Sequence, residues 1–246
     1  MEVDLNRLSD ERIGGWPREP KEKKQEATFL STYVFNPVLS RVRGLFTTEE
    51  RPSDPWEVSE RRSNQFIAVR LEERREEGEK ASFWIGNYHM PCAFREPIIM
   101  TIHSEMVAKR IQTLAEKTNE SYILAGDFNI LPESSHYGLL TTGVIDKKDP
   151  SYPPNKFGVH WESTIEGMKS AYADFNGKES DFTNYAFTDG SEEFFIGTLD
   201  YIFLSDSWKV TNVEALEHRN DVDGPFPNDK EPSDHVLIAA DLELRG

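Results

Sequence analysis

The chain has 246 residues, a formal net charge of −16, and 37% hydrophobic and 11% aromatic residues. That is enough apolar content for one large domain or two small ones with a buried core. The surface is too acidic to coat nucleic acid by charge alone, although a site holding a divalent cation can still be positive toward phosphate. The single cysteine, Cys92, excludes a disulfide framework and a thiolate zinc site. No run approaches the ~20 apolar residues of a membrane span. Residues 1–6 carry neither the basic nor the apolar segment of a secretory signal. The expected setting is cytoplasmic or nuclear, with no membrane partner.

Residues 1–28 are polar and charged and read as a loop or a fragment edge. Phe29–Phe35 reads as a strand closed by Asn36 and Pro37, and residues 45–63, rich in Glu, Arg, Pro and Ser, as a loop. Asn64–Leu71 and Ala81–Tyr88 are two strands, and the charged stretch between them, Glu72–Lys80 with Gly78, is a solvated hairpin connection. Pro97–Thr118 has Ile98, Ile102, Met106, Ile111 and Leu114 near helical spacing, with proline well placed at a helix start. Tyr122–Asp127 is the next strand, residues 146–160 a long loop, and Met168–Phe175 a short helix or turn. Thr198–Leu204 and Val236–Leu244 are further apolar strands. Strands and helices interleave without a strict βαβ rhythm, which predicts an α/β fold with mixed sheets and flanking helices in one domain over 1–246.

Within Ile123-Leu124-Ala125-Gly126-Asp127-Phe128-Asn129, an apolar strand stops at glycine and is followed by an acid and an amide two residues apart. Side chains two apart on an extended segment leave the same face, so Asp127 and Asn129 point together. Three more strand ends carry polar groups: Asn87-Tyr88-His89, Asp200 after Gly197-Thr198-Leu199, and Ser233-Asp234-His235. Taken singly, a histidine or aspartate at such a place is more often a hydrogen-bonded surface group or a cap. Together they offer hard oxygen ligands, a carboxylate to activate water, and imidazoles and amides to bind phosphate oxygens as charge develops. That inventory suits metal-assisted phosphoryl or phosphodiester hydrolysis.

These motifs, with Leu199-Asp200-Tyr201-Ile202-Phe203, occur in the order and spacing of the endonuclease/exonuclease/phosphatase superfamily, which the chain resembles over about residues 64 to 246. The resemblance narrows to the deadenylase, nocturnin, Angel and 2′-phosphodiesterase branch through Leu131-Pro132-Glu133-Ser134-Ser135, Leu139–Gly143, Ser170-Ala171-Tyr172, Phe182-Thr183-Asn184-Tyr185 and Gly224–Asn228. It implies a four-layer α/β/β/α sandwich of two packed mixed sheets, and a Mg²⁺- or Mn²⁺-dependent hydrolase whose substrate is RNA or a nucleotide phosphate. By the resemblance, Asp127 activates water, Asn129 holds water and phosphate, and His235 and His89 face the scissile phosphate. Asp200 supports the histidine, and Asp234 is a metal-side carboxylate. Asn87, Asn184 and Phe195 contact substrate, Phe195 by stacking on a base.

Two departures stand out. The family's opening strands, the second ending in Gln-Glu with the principal metal ligand, have no counterpart here. Gln25-Glu26 follows Glu22-Lys23-Lys24 rather than an apolar strand and reads as coincidence. The chain is therefore expected to be N-terminally truncated or to have lost the ligand. After His89 the deadenylases carry Trp-Asp-Pro, where this chain has Met90-Pro91-Cys92-Ala93-Phe94, which puts poly(A) preference in doubt. Cys92 is expected to be buried and inert. A deadenylase-like 3′-to-5′ exoribonuclease leads the readings. A phosphatase on a small phosphorylated metabolite or nucleotide and a non-catalytic binding module are the alternatives. His103, His136, His160 and His218 are read as structural or surface residues.

Overall fold

A 22-residue helix and a mixed sheet organise the molecule. The structure, a computed structural model, describes residues 54–74, 80–156, 158–188 and 193–245. The expectations for residues 1–53, including the strand Phe29–Phe35 and the dipeptide Gln25-Glu26, lie outside these. The described residues from Pro55 onward fall in one compact unit.

The strand β1 (Phe66–Glu72) pairs antiparallel with β2 (Ser82–Tyr88), in register from Phe66 opposite Tyr88 to Glu72 opposite Ser82. The helix α2 (Pro97–Thr118) crosses over to β3 (Ser121–Asp127), which runs parallel to β2. A short helix, α1 (Pro55–Glu60), precedes β1 inside a stretch expected to be loop. Its Trp56 is buried and donates through Nε1 to Pro154 O, so tertiary packing holds a helix too short to persist alone. The helix α3 (Ser135–Thr142) starts at Ser134, whose hydroxyl accepts from Tyr137 N, and ends at Gly143 in the left-handed region. Then come β4 (Lys169–Ser170), α4 (Ala171–Asn176), the hairpin β5 (Asn184–Phe187) and β6 (Phe194–Gly197), β7 (Asp200–Leu204), and the pair β8 (Trp208–Val213) and β9 (Ala240–Leu244).

The main sheet has the order β1-β2-β3-β7-β4, with β7 antiparallel to β3. One face, through Tyr88, Leu124, Tyr201 and Phe203, packs on α2 residues Met100, Val107, Ile111 and Ala115 and on Leu139 and Leu140 of α3. On the other face Phe83, Ile123 and Ile202 meet Trp208, Leu242 and Leu244 of β8 and β9. Fully burying a side chain such as Phe203 stabilises by about 1.5–3 kcal/mol. The α/β class with mixed sheets stands, but among the described residues the second layer is reduced to two two-stranded sheets, β5–β6 and β8–β9. The expected face of α2 is rotated. Ile102 and Ile111 are buried, Ile98, Met106 and Leu114 only half-buried, and the inward face carries Thr101, His103, Ser104 and Gln112. Those polar residues fit because they find partners: Tyr88 Oη for His103, Pro97 O for Thr101, and Glu166 O with Tyr122 Oη for Gln112.

Candidate active site

Sheet direction gathers the site. With β2 parallel to β3 and β7 antiparallel beside it, the ends of β2 and β3 and the start of β7 share one edge. Asp127 stands directly opposite Asp200 in the β3–β7 pair, so their carboxylates leave the same face. His89 follows the last residue of β2. Asn64 Nδ2 donates to its carbonyl at 2.8 Å, and its exposed ring brings Nε2 to 3.3 Å from Asp127 Oδ2. His235 arrives from the far end of the chain. It bridges to Asn184 on β5, and Val236 N donates to Thr183 O at 2.9 Å. Its Nδ1 lies 2.7 Å from Asp200 Oδ2 and its Nε2 3.9 Å from Asp127 Oδ2.

The backbone around Asp127 has little freedom. Gly126 has φ +142°, and a Cβ there would sit 2.1 Å from Tyr88 O, so only glycine fits. Asn129 has φ 51°, a left-handed conformation that asparagine tolerates better than most residues. The turn sends Phe128 into the core and folds Asn129 back, with its backbone N–H donating to Asp127 Oδ1 at 2.9 Å. Its side-chain Nδ2 donates to Met90 O at 3.0 Å and to Asp127 Oδ2 at 3.3 Å. Both amide hydrogens are thus committed within the protein, and Asn129 is 5% exposed. The geometry makes it a support for Asp127.

Burial raises the Asp127 carboxyl above the usual carboxylate range. The Asn129 N–H and the two histidines oppose the rise, and the Asp200 charge adds to it. The hydrogen bond to Asp200 holds His235 above the ordinary imidazole value against the effect of burial, and the charges of Asp200, Asp127 and Asp234 act in the same direction. A carboxyl more basic than usual thus stands beside an imidazole that keeps its proton longer than usual, an arrangement suited to proton transfer.

The remaining expected residues are placed unevenly. Asn184 is buried and its Nδ2 donates to Asp234 Oδ2 at 3.3 Å, while Tyr185 N donates to Asp234 O, so this pair ties the His235 segment to β5. Asn87 is exposed, and its Nδ2 reaches only 3.4 Å from Ala125 O. Phe195 is half-buried, with its ring edge 3.0 Å from where a Cβ on Gly197 would stand, beside Leu131. Cys92 is exposed, because Met90, Pro91 and Ala93 take the inward positions around it. Partial covering of the thiol and the Asp127 charge hold it above the usual value. His136 Nε2 donates to Pro97 O, His103 pairs with Tyr88, and His160 and His218 lie on the surface.

Thr183, which the sequence marks only as part of a motif, is 1% exposed and donates to Asp200 Oδ2 at 2.7 Å. No local pattern points a hydroxyl at a carboxylate 17 positions away. A metal cage fits the described residues poorly. Among them no group of three or more His, Cys, Asp or Glu is placed to hold an ion. Asp200 Oδ2 faces two hydrogen-bonding partners, and both Asp127 oxygens accept from Asn129.

Among known proteins, the chain is 33% identical over 135 residues to the CCR4-Not complex 3'-5'-exoribonuclease subunit Ccr4 of Phaeosphaeria nodorum, covering 50% of this chain and 20% of that protein. It is 35% identical over 129 residues to carbon catabolite repressor protein 4 homolog 4 of Arabidopsis thaliana, covering 51% and 27%. The chain therefore matches well under half the length of these relatives. The crystal structure of ANGEL2, a 2',3'-cyclic phosphatase, in complex with adenosine-2',3'-vanadate shares the fold at TM-score 0.55 and 20% identity, covering 79% of this chain and 64% of that one. The sequence profile of the endonuclease/exonuclease/phosphatase family matches residues 24–235, beginning 40 residues before the point at which the motifs become clear. The chain belongs to the endonuclease/exonuclease/phosphatase family.

Proposed function

We propose that the chain is a phosphodiester hydrolase acting on RNA or a nucleotide phosphate, most like a 3′-to-5′ exoribonuclease. One observation carries the reading: Asp127 stands between His89 and His235, with Asp200 fixed behind His235. Asp127, made basic by burial, takes the proton of a water aligned for in-line attack on phosphorus. Exposed His89 reaches a phosphoryl oxygen, and His235 offers a proton to the leaving oxygen through Nε2. Asn129 acts indirectly, by fixing Asp127. Mg²⁺ or Mn²⁺ dependence belongs to the proposal through the family. The described side chains account for water and phosphate, whereas a cation needs oxygen donors beyond them.

A phosphatase on a small phosphorylated metabolite or nucleotide would use the same groups, and the net charge of −16 favours it over a long-RNA enzyme. The test is hydrolysis of oligo(A), a 2′-linked or cyclic oligonucleotide and a dinucleotide phosphate by the 246-residue chain, with and without Mg²⁺. Asp127→Ala and His235→Ala are expected to remove turnover while the thermal transition persists. Unchanged turnover in either variant overturns the assignment, and metal-independent turnover removes the cation from it.

A further inference from the structure

The hydrogens around Asp200 can be counted. The Thr183 hydroxyl has one hydrogen to donate and two lone pairs to accept with. Leu199 N donates to Oγ1 at 2.9 Å and Asp200 N donates at 3.0 Å, so both acceptor positions are filled by backbone N–H groups. The one hydrogen left on Oγ1 points to Asp200 Oδ2, 2.7 Å away. Thr183 is 1% exposed, so no solvent competes for that hydrogen. The same Oδ2 stands 2.7 Å from His235 Nδ1. An oxygen that already receives the threonine hydrogen is an acceptor toward the ring as well, so in neutral His235 the hydrogen sits on Nδ1. The Nε2 lone pair then faces the cleft and Asp127.

We infer that Thr183 is a positioning residue that holds the Asp200 carboxylate, and through it the His235 ring, in place, and that with an amide at position 200 its hydrogen decides which atom faces Nδ1. The geometry is independent of the hydrolase reading, but its consequence for turnover rests on that reading. Either carboxylate oxygen accepts from Nδ1, so Asp200 supplies the tautomer, but not its own orientation: the carboxylate can rotate about χ2, and among the described residues its side-chain hydrogen bonds are those to Thr183 and to the ring it orients. Thr183 is itself anchored by backbone groups at the turn into β7, so the rigid sheet edge aims the imidazole. In catalytic triads, an amide in place of the orienting carboxylate can leave the histidine in the wrong tautomer. Here the threonine hydrogen requires an oxygen at the Oδ2 position, and an amide is therefore held with its oxygen toward His235.

The experiment reads the His235 ring nitrogens by ¹⁵N NMR in the 246-residue chain, at a pH where the ring is neutral. The native protein and Thr183→Ser are expected to show hydrogen on Nδ1. Asp200→Asn alone keeps it there, because the amide oxygen still receives the Thr183 hydrogen. Asp200→Asn combined with Thr183→Val frees the amide to turn its NH₂ toward Nδ1 and moves the hydrogen to Nε2. Hydrogen on Nε2 in Asp200→Asn alone overturns the inference, and so does hydrogen on Nδ1 in the double variant. If the double variant does not fold, the single substitution decides. Thr183→Val alone is expected to lower kcat about 10- to 100-fold, the worth of a hydrogen bond to a charged acceptor. Thr183→Ser restores most of the loss. The expected tautomers in a protein without turnover would sink the hydrolase reading and leave the Thr183–Asp200–His235 relay standing.

Discussion

His103 gives the sharpest stability prediction. It lies on α2, is 3% exposed, and its Nδ1 is 2.6 Å from Tyr88 Oη in the residue just before His89. Burial is the main cause that pushes its pKa from 6.5 down to about 4. Above pH 6.5 the ring is neutral in both the folded and the unfolded chain, and it makes stability no steeper with pH. Between 6.5 and about 4 the unfolded chain takes up a proton that the folded chain refuses, so stability falls as pH falls. The full gap corresponds to about 3 kcal/mol, at 1.36 kcal/mol per unit. His103→Asn keeps an acceptor for the Tyr88 hydroxyl near the Nδ1 position but does not titrate. It is expected to be less stable than the native chain at neutral pH, by about 1–2 kcal/mol for the lost volume. It should nevertheless lose less stability on acidification. Urea unfolding midpoints measured across that window, with m held constant, give the difference curve. Two curves running parallel from pH 6.5 to about 4 would refute the reasoning.

Three further outcomes follow from the same structure. Gly126→Ala places a Cβ 2.1 Å from Tyr88 O at φ +142°, and a shift in the β2–β3 pairing together with backbone strain of about 1–3 kcal/mol should lower the urea midpoint markedly. An unaltered midpoint would mean that the pairing there yields freely. Asn129→Ala removes the bonds to Met90 O and Asp127 and leaves alanine at φ 51°, so stability should drop by about 2 kcal/mol and turnover with it. Glu120 is held near a pKa of about 2, chiefly by hydrogen bonding to Arg70, which donates through Nε at 2.9 Å. Because the Arg70 side chain is 40% exposed, the pair is worth only about 1 kcal/mol. That contribution is present above pH 4.5 and lost as pH falls toward 2, so Glu120→Gln should flatten this part of the acid limb of the unfolding curve.

Much of the candidate site is legible in the sequence because its signals are local. A strand that stops at glycine and delivers an acid and an amide announces itself, and so do His89, Asp200 and His235 at the ends of apolar runs. The β1–β2 hairpin and the helix Pro97–Thr118 follow from alternation, charge and a proline at N1, and the structure has that helix with the same bounds. Less was readable where length or partner choice decided. The helix α1 is six residues long and α3 eight, too short for periodicity to stand out. The β5–β6 hairpin is four residues a side, and the long apolar stretch before the C-terminus shortens to Ala240–Leu244, because Val236 N donates to Thr183 O just before β5 and Ala239 N to the Tyr172 hydroxyl.

Residue types at strand ends, together with their order, were thus determined by the sequence, and with them the family and the candidate site residues. Only the tertiary structure decided how those groups act on one another. The antiparallel register puts Asp127 opposite Asp200. The turn at Asn129 points both its amide hydrogens inward, making it a support for Asp127 where a phosphate contact was expected. Cys92 faces outward because its neighbours fill the interior, and Thr183 comes to hold Asp200 from 17 residues away. The physical reason is the same in each case. A side chain's chemistry is local, but its proton, its charge and its exposure depend on partners that the fold brings from distant parts of the chain.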